Sequence, residues 1–284
     1  MPACADKATS DGVEGHPYRE FERAGWERAA DAYADSFAAI TGLFVRPLLE
    51  AVGAGPGVRI LDVACATGPV ASMAAGCGSS VEGLDFSPNM VAAARRRHPA
   101  LSFRQGDAEA LPFADGSFDA VVIGFGVHHF PFPVRALGEA RRVLRVGGRL
   151  GFTVWASPEE HLLTKLVVDA VRETGNAAAA LPTPPGGPIN ARESCMRLLC
   201  EAGFDAAAIR VERLAARASI DSAAALIDLL GAGTVRLSSV IRSLPRDKAS
   251  LLVAALDRSM QSYRDGVGFR IPAVALLALG IKTG

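Results

Sequence analysis

Ile60-Leu61-Asp62-Val63-Ala64-Cys65-Ala66-Thr67-Gly68 is the stretch on which the fold turns. The apolar residues around Asp62 read as a short strand, Val58 to Val63, and Pro69 opens a helix. Val70, Met73, Ala74 and Cys77 fall at i, i+3, i+4 and i+7 of that helix and are expected to be its buried face. A strand ending in an acidic residue, then small residues, then a helix start makes a nucleotide-binding turn. Small side chains let the backbone approach a ligand, and the helix N-terminus offers unpaired N–H groups and positive potential. A turn packed tightly for steric reasons alone carries the same small residues.

Outward from this turn the chain alternates. Ser80 to Asp85 reads as a second strand, followed by Ser87 as N-cap and Pro88 as first residue of a helix reaching His98. Leu101 to Gln105 is a third strand. Asp119 to Gly124 is a fourth, with the continuous apolar character of a buried parallel strand. A helix over Val134–Leu144 stops at Gly147-Gly148, and Arg149 to Trp155 is a fifth strand. Strands alternating with helices predict an α/β fold with a parallel, doubly wound sheet.

Before this core, Glu20 to Ala51 reads as helical, with Phe37, Ile40, Thr41, Phe44 and Leu48 on one face, and Gly53, Gly55, Pro56 and Gly57 end it. Residues 1–16 lack periodicity and are expected to be a loose arm. After Trp155 the reading is a helix over 157–176, a Pro/Gly-rich linker over 181–188, a helix over 191–202 and a strand near 208–214. Helical residues 222–265 and a last strand from Phe269 to Lys282 complete the chain. The domains expected are a 17–56 helical cap, a 57–156 core, a 157–265 helical lid holding the strand near 208–214, and a 266–284 last strand.

Composition narrows the partners. With 284 residues, half of them hydrophobic, the chain can bury a full α/β core and a further lobe. Thirty Lys and Arg offset thirty Asp and Glu, whereas a nucleic-acid binder usually carries a basic excess. The local runs Arg95-Arg96-Arg97 and Arg141, Arg142, Arg145 read as solvated helix faces. Cys4, Cys65, Cys77, Cys195 and Cys200 show no paired spacing, so neither a zinc site nor a disulfide framework is expected. Charges at Asp6, Lys7, Asp11 and Glu14 exclude a signal-peptide core, and the longest apolar runs fall short of a membrane span. A cytoplasmic protein, monomer or homodimer, is the expectation.

Asp85 ends the second strand about twenty residues beyond the small-residue turn, where a carboxylate accepts hydrogen bonds from ribose hydroxyls. A helix-dipole charge at the following N-terminus is its plainer role. NAD would suit both features, but a dinucleotide turn needs G-x-G-x-x-G, and here Gly68 is the sole glycine between Asp62 and the helix. Five ordered strings then follow or overlap: LDVACATG (61–68), GLDFSPNMV (83–91), GDAEALPFADGSFDAVV (106–122), GVHHF (126–130) and EARRVLRVGGRL (139–150). Together they resemble the class I S-adenosylmethionine-dependent methyltransferases, and most the branch of ubiquinone/menaquinone C-methyltransferases and natural-product methyltransferases.

The resemblance implies a Rossmann-like, mostly parallel seven-stranded sheet with an antiparallel last strand, N-terminal helices, and a helical lid inserted near the C-terminal strands. It implies S-adenosyl-L-methionine as cofactor, with Asp62 and the backbone of Ala64, Cys65, Ala66 and Gly68 holding the methionine end. Asp85 would bind the ribose diol, Phe86 and Met90 would lie against adenine or ribose, and Asp107 and Ala108 would meet the adenine ring. Gly124 and Phe125 would border the methyl donor, and Tyr33, in the W-x6-Y spacing with Trp26, would cover the cofactor. Relatives usually keep a glycine where this chain has Ala66, a substitution that restricts positive φ.

His128 and His129, at the mouth of the fourth strand, are the candidate general bases, needed only for a hydroxyl or carbon-acid acceptor. Capping or packing of the loop is their alternative role. His161 reads as a solvent position of the lid helix, although it could also face the acceptor, and His16 and His98 read as surface residues. Leu162, Leu166, Val171, Leu226, Leu229 and Leu230 suggest an apolar acceptor pocket or, equally, the core of a helical lobe or a dimer contact. The expected activity is methyl transfer to a small aromatic or apolar metabolite. A non-catalytic S-adenosylmethionine-binding scaffold or an NAD-dependent oxidoreductase are the alternatives.

Overall fold

The computed structural model describes residues 16–175, 181–182, 184 and 186–284. The expected loose arm, His16 excepted, and Thr183 and Pro185 of the expected linker lie outside the described residues. Eight strands form one sheet: β1 (Arg59–Val63), β2 (Ser80–Asp85), β3 (Ser102–Gln105), β4 (Phe118–Gly124), β5 (Leu144–Trp155), β6 (Ile209–Ile220), the two-residue β7 (Arg264–Asp265) and β8 (Gly268–Ile281). Their order is β3-β2-β1-β4-β5-β8-β6, with β7 paired to β8. The first five run parallel and β8 lies antiparallel between β5 and β6.

This is the Rossmann-like, mostly parallel sheet that the alternation of strands and helices predicts. Strand order reverses at β1, which pairs with β2 on one side and β4 on the other. The crevice at the carboxyl ends of these strands is where open α/β sheets bind ligands. Ile60, Leu61, Val121 and Val122 are wholly buried because helices cover both faces there.

The predicted N-terminal helix is three helices: α1 (Pro17–Tyr33), α2 (Ala38–Gly42) and α3 (Val45–Val52). All five residues of the predicted face are buried, and the breaks bring Phe37 and Phe44 onto the ring of Trp155 at 5.7 Å each. Between the strands lie α4 (Pro69–Gly76), α5 (Pro88–Arg97), α6 (Pro133–Val143), α7 (Leu162–Glu173) and α8 (Arg192–Glu201). The α4 face differs from its prediction. Val70, Ala71 and Ala74 are buried while Met73 and Cys77 are exposed, since the helix ends after two turns and Cys77 is its C-cap.

The long helical reading of 222–265 resolves into α9 (Ala223–Gly233), α10 (Val235–Arg242) and α11 (Ala249–Met260), with extended Thr234 as the first corner. Strand β6 runs six residues past the predicted Leu214, paired along its whole length with β8. Only the extension was missed, because over residues 215–220 small alanines and the outward Arg217 leave little apolar pattern. Leu226, Leu230 and Val171 are fully buried in the helical lobe, with Leu162, Leu166 and Leu229 packed against the same cluster. They belong to the core of that lobe, one of the roles expected for them. Among the described residues no single helix is long and apolar enough to cross a membrane.

The arginine runs hold more structure than solvated faces would. Arg96 and Arg97 are exposed, pairing with Asp31 of α1 and with Asp35 in the turn after it, at 3.3 and 3.1 Å. Arg95, by contrast, donates to the Phe103 carbonyl at 2.6 Å. Arg142 donates to the carbonyls of Leu111 (2.9 Å) and Phe113 (2.8 Å), and to Asp115 and Glu139, so it anchors the loop after β3. Arg142→Ala leaves these carbonyls without their donor. The expected cost is about 1–3 kcal/mol, a fall in Tm of roughly 3–8 °C. A thermal melt within about 1 °C of wild type would remove this anchoring role.

Candidate functional site

The turn after β1 is built on left-handed backbone. Ala64 has φ 56°, Ala66 φ 48° and Gly68 φ 88°. L-residues with side chains occupy this region at a cost of about 1–2 kcal/mol each. Two buried carboxylates hold it there. Asp85 accepts the Ala66 N–H through Oδ2 at 2.9 Å and the Ser87 N–H through Oδ1 at 2.9 Å. Asp62 accepts the Ala71 N–H at 3.0 Å, which fixes the start of α4, and its Oδ1 has no protein partner. Burial raises the Asp85 carboxyl to about 6 and the Asp62 carboxyl to about 8.

Beside this turn lies a cleft of about 900 Å³, measured out to its mouth. Ala64, Ala66, Asp85, Phe86, Met90, Asp107, Ala108, Gly124, Phe125 and Tyr33 all line it. A small annex continues it past Cys65 and Thr153. Ten of the thirteen expected cofactor residues thus meet on one wall, and Cys65 borders the annex. Asp62 and Gly68 lie behind the turn instead. Asp62 faces the α4 backbone, and a Cβ on Gly68 would stand 2.8 Å from the His98 ring and 2.9 Å from that of Phe103. His98 is accordingly half-buried against Phe103, and His16, half-buried too, caps α1 by accepting the Tyr18 N–H.

Helix α1 closes the cleft with residues that no motif marked. Arg19 reaches both Asp107, at 2.5 Å, and Glu109. The other oxygen of Asp107 accepts the Glu109 N–H at 2.9 Å. Glu22, only 1% exposed, accepts from Trp26 Nε1 at 3.1 Å and shares a 2.8 Å hydrogen bond with His129 Nδ1. A buried Glu 107 positions away in sequence has no local signal linking it to a histidine. Tyr18 donates its hydroxyl to the His128 carbonyl at 2.8 Å, tying α1 to the turn Val127–His129. Burial holds the His128 imidazole well below its ordinary range, so it stays neutral.

The histidines stand between two spaces. His128, His129, Phe130 and Trp155 line the cleft and also a second, wider cavity of about 1940 Å³, bounded by α7 and Ile189. The second cavity carries Glu159, Lys165, Asp169, Arg172 and Arg236 as well as apolar residues, so it is more polar than the leucine pattern suggested. His161 is not at a solvent position. It is 3% exposed, lies at the N-cap of α7 where the chain turns inward, and stacks on Trp155 at 4.0 Å.

Residues 61–152 match the family model of a methyltransferase domain. The demethylmenaquinone methyltransferase of Renibacterium salmoninarum is 42% identical over 143 residues, 47% of this chain and 60% of that relative. The chain spans about half the length of the curated relatives it matches. Among solved structures, an S-adenosylmethionine-dependent methyltransferase from Thermotoga maritima superposes with a TM-score of 0.53 at 19% identity, covering 92% of this chain and 100% of that one. The [4+2]-cyclase SpnF does so with a TM-score of 0.52 at 22% identity, covering 86% and 81%. Likeness at this identity shows the fold alone, and the two names show that one fold hosts different chemistries.

Ala66 is the residue out of pattern, and its φ of 48° gives the reason a glycine suits that position. Ala66→Gly removes left-handed strain but loosens the unfolded chain, and the strain is the larger of the two effects. The variant is expected to gain up to about 1 kcal/mol, read as a higher denaturation midpoint. A midpoint unchanged or lowered would show that the turn is relaxed with alanine.

Proposed function

We propose, on the premise that residues 61–152 are a class I methyltransferase domain, that the chain binds S-adenosyl-L-methionine in the cleft and transfers its methyl group to a small molecule in the adjoining cavity. The observation that carries this reading is the convergence of the left-handed turn, Asp85 and Asp107 on one cleft. The residues fit the group. A ribose diol has Asp85 as acceptor, and the backbone stands close at Ala64, Ala66 and Gly124. Phe86, Met90 and Ala108 offer apolar contact for a purine, and Tyr33 and Phe125 border the methionine end. Asp107 would share its carboxylate between Arg19 and an adenine amino group, since each carboxylate oxygen accepts more than once. Asp62 supports the turn from behind, and its charge is one that a cationic ligand nearby would favour.

When bound, the sulfonium supplies an already activated methyl carbon, so the protein's work is alignment and exclusion of water. Helix α1 does the second of these, with Arg19, Glu22 and Trp26 roofing the cleft. His129 is the proton acceptor for an acceptor hydroxyl or carbon acid. Glu22 holds its Nδ1, leaving Nε2 as the free basic nitrogen, and the buried carboxylate favours the imidazolium formed. His128 is the lesser candidate, as desolvation disfavours its charged form. Similarity to demethylmenaquinone methyltransferases points to an aromatic, quinol-like acceptor. The core, cap and lid limits expected from sequence are proposed as the functional units, with acceptor choice resting in 157–265.

Calorimetry with S-adenosylmethionine, S-adenosylhomocysteine and NADH tests the cofactor. The two sulfur ligands are expected to bind, and stabilisation by NADH alone would sink the reading. Asp85 must be ionised to serve the ribose hydroxyls, and its free-protein pKa is about 6. Affinity is therefore expected to hold above that pH and to fall by up to about tenfold per unit below it. In Asp85→Asn the affinity is lower throughout and flat across the same window.

His129→Ala and Glu22→Gln are expected to lower kcat by about 10²-fold or more with a hydroxyl acceptor while leaving cofactor affinity within a few-fold. An unchanged kcat in both variants would remove the dyad as a base.

A further inference from the structure

His161 presents both ring nitrogens without a protein partner, although the residue is almost wholly buried. A buried neutral imidazole has one N–H donor and one bare nitrogen acceptor, and leaving either unmet is destabilising. Its ring is not free to turn. Phe125, Trp155 and His161 form a continuous stack with successive centroid distances of 4.0 and 4.0 Å and interplanar angles of 26° and 23°. Phe125 borders the cofactor cleft, Trp155 borders both spaces, and His161 borders only the second cavity. The stack therefore places an imidazole with an unsatisfied donor and acceptor in the wall of that cavity.

The rest of the wall describes what such a group would meet. Phe130, Pro133, Pro158, Val168 and Ile189 are apolar. Asp169 pairs with both Lys165 and Arg172, so the charges on α7 largely neutralise one another. Burial lowers the His161 imidazole to about 4, which keeps it uncharged at neutral pH. An anion or a cation thus finds no free complement at His161, whereas a hydroxyl does, because it donates and accepts at once.

We propose that His161 is an acceptor-recognition residue in the second cavity, holding the hydroxyl of an apolar aromatic molecule by hydrogen bonds to its stack-locked imidazole. This rests on the methyltransferase reading for its role as the acceptor site, and it assigns to α7 a specificity determinant separate from the His129–Glu22 pair. A molecule held at His161 lies in the cavity that His129 also borders, so recognition and proton removal fall to different histidines.

The test is a binding titration of the full chain, saturated with S-adenosylhomocysteine, with 1-naphthol and with naphthalene as probes. Wild type is expected to prefer 1-naphthol by about tenfold or more, the worth of one buried hydrogen bond. His161→Phe keeps an aromatic ring on Trp155 but no nitrogen. It is expected to lose the preference, to bind naphthalene no more weakly, and to bind S-adenosylhomocysteine as wild type does. His161→Gln, which restores a donor and an acceptor, is expected to recover part of the preference. Failure of wild type to bind 1-naphthol, equal binding of the two probes, or a preference that survives in His161→Phe would each overturn the proposal. S-adenosylhomocysteine binding reads the other premise separately. Its failure in wild type would overturn the cofactor reading, whereas normal binding with any of the three results above would overturn the His161 assignment alone.

Discussion

The carboxylate of Asp85 receives two backbone N–H groups, from Ala66 and from Ser87, and so ties the turn after β1 to the helix start after β2. Without that anchor Ala64 and Ala66 would have little to hold them in left-handed backbone, which side-chain-bearing residues avoid. The strain is paid for by burial of a well-bonded carboxylate, and its product is a backbone cradle at the switch point of the sheet. Asp62 works on the same turn from behind through the Ala71 N–H. Both carboxyls sit above their ordinary range because burial disfavours their charge, which leaves a site where positive charge is welcome.

Around this cradle the N-terminal helices act as a roof. Arg19, Glu22 and Trp26 come from one helix: Arg19 bonds to Asp107 and Glu22 to His129, both far away in the chain, and Trp26 bonds to Glu22 one turn away. Exposed pairs such as Arg96 with Asp31 add little energy of their own, so α1 is held mainly by buried groups: Glu22, Tyr18, Ala29, Ala30 and Tyr33. A roof built on polar contacts at its inner face and apolar contacts at its end suits a cleft that must exclude water yet admit a ligand.

The aromatic stack Phe125–Trp155–His161 then divides the interior into two spaces with different demands. The cleft side needs close backbone approach and carboxylate acceptors; the cavity side mixes apolar residues and charged side chains with the buried His161 imidazole. Phe125 also takes a positive φ, 57°, and its N–H is bonded to Thr153 of the neighbouring strand. Rings held from β4, β5 and the N-cap of α7 give the divider three independent supports.

The amino-acid sequence alone determined the parallel α/β core, because β4 is a short, nearly continuous apolar run and α4, α5 and α6 each start on a proline. It also determined the cradle, since Asp62, the small residues to Gly68, and Asp85 are local signals on consecutive elements. Ala66 stood out as the position where backbone conformation and residue type disagree, and its φ bears that tension. Tertiary structure decided the rest. The pairing of Glu22 with His129 spans 107 positions, and a lone acidic residue on a helix carries no mark of such a partner. His161 reads as a solvent-facing helix residue until the turn before α7 folds its ring onto Trp155. Strand β6, read only to Leu214, reaches Ile220 because β8 pairs with it along that length. Local patterns record what the chain does within a few residues, whereas these features depend on which surfaces meet after the sheet has closed.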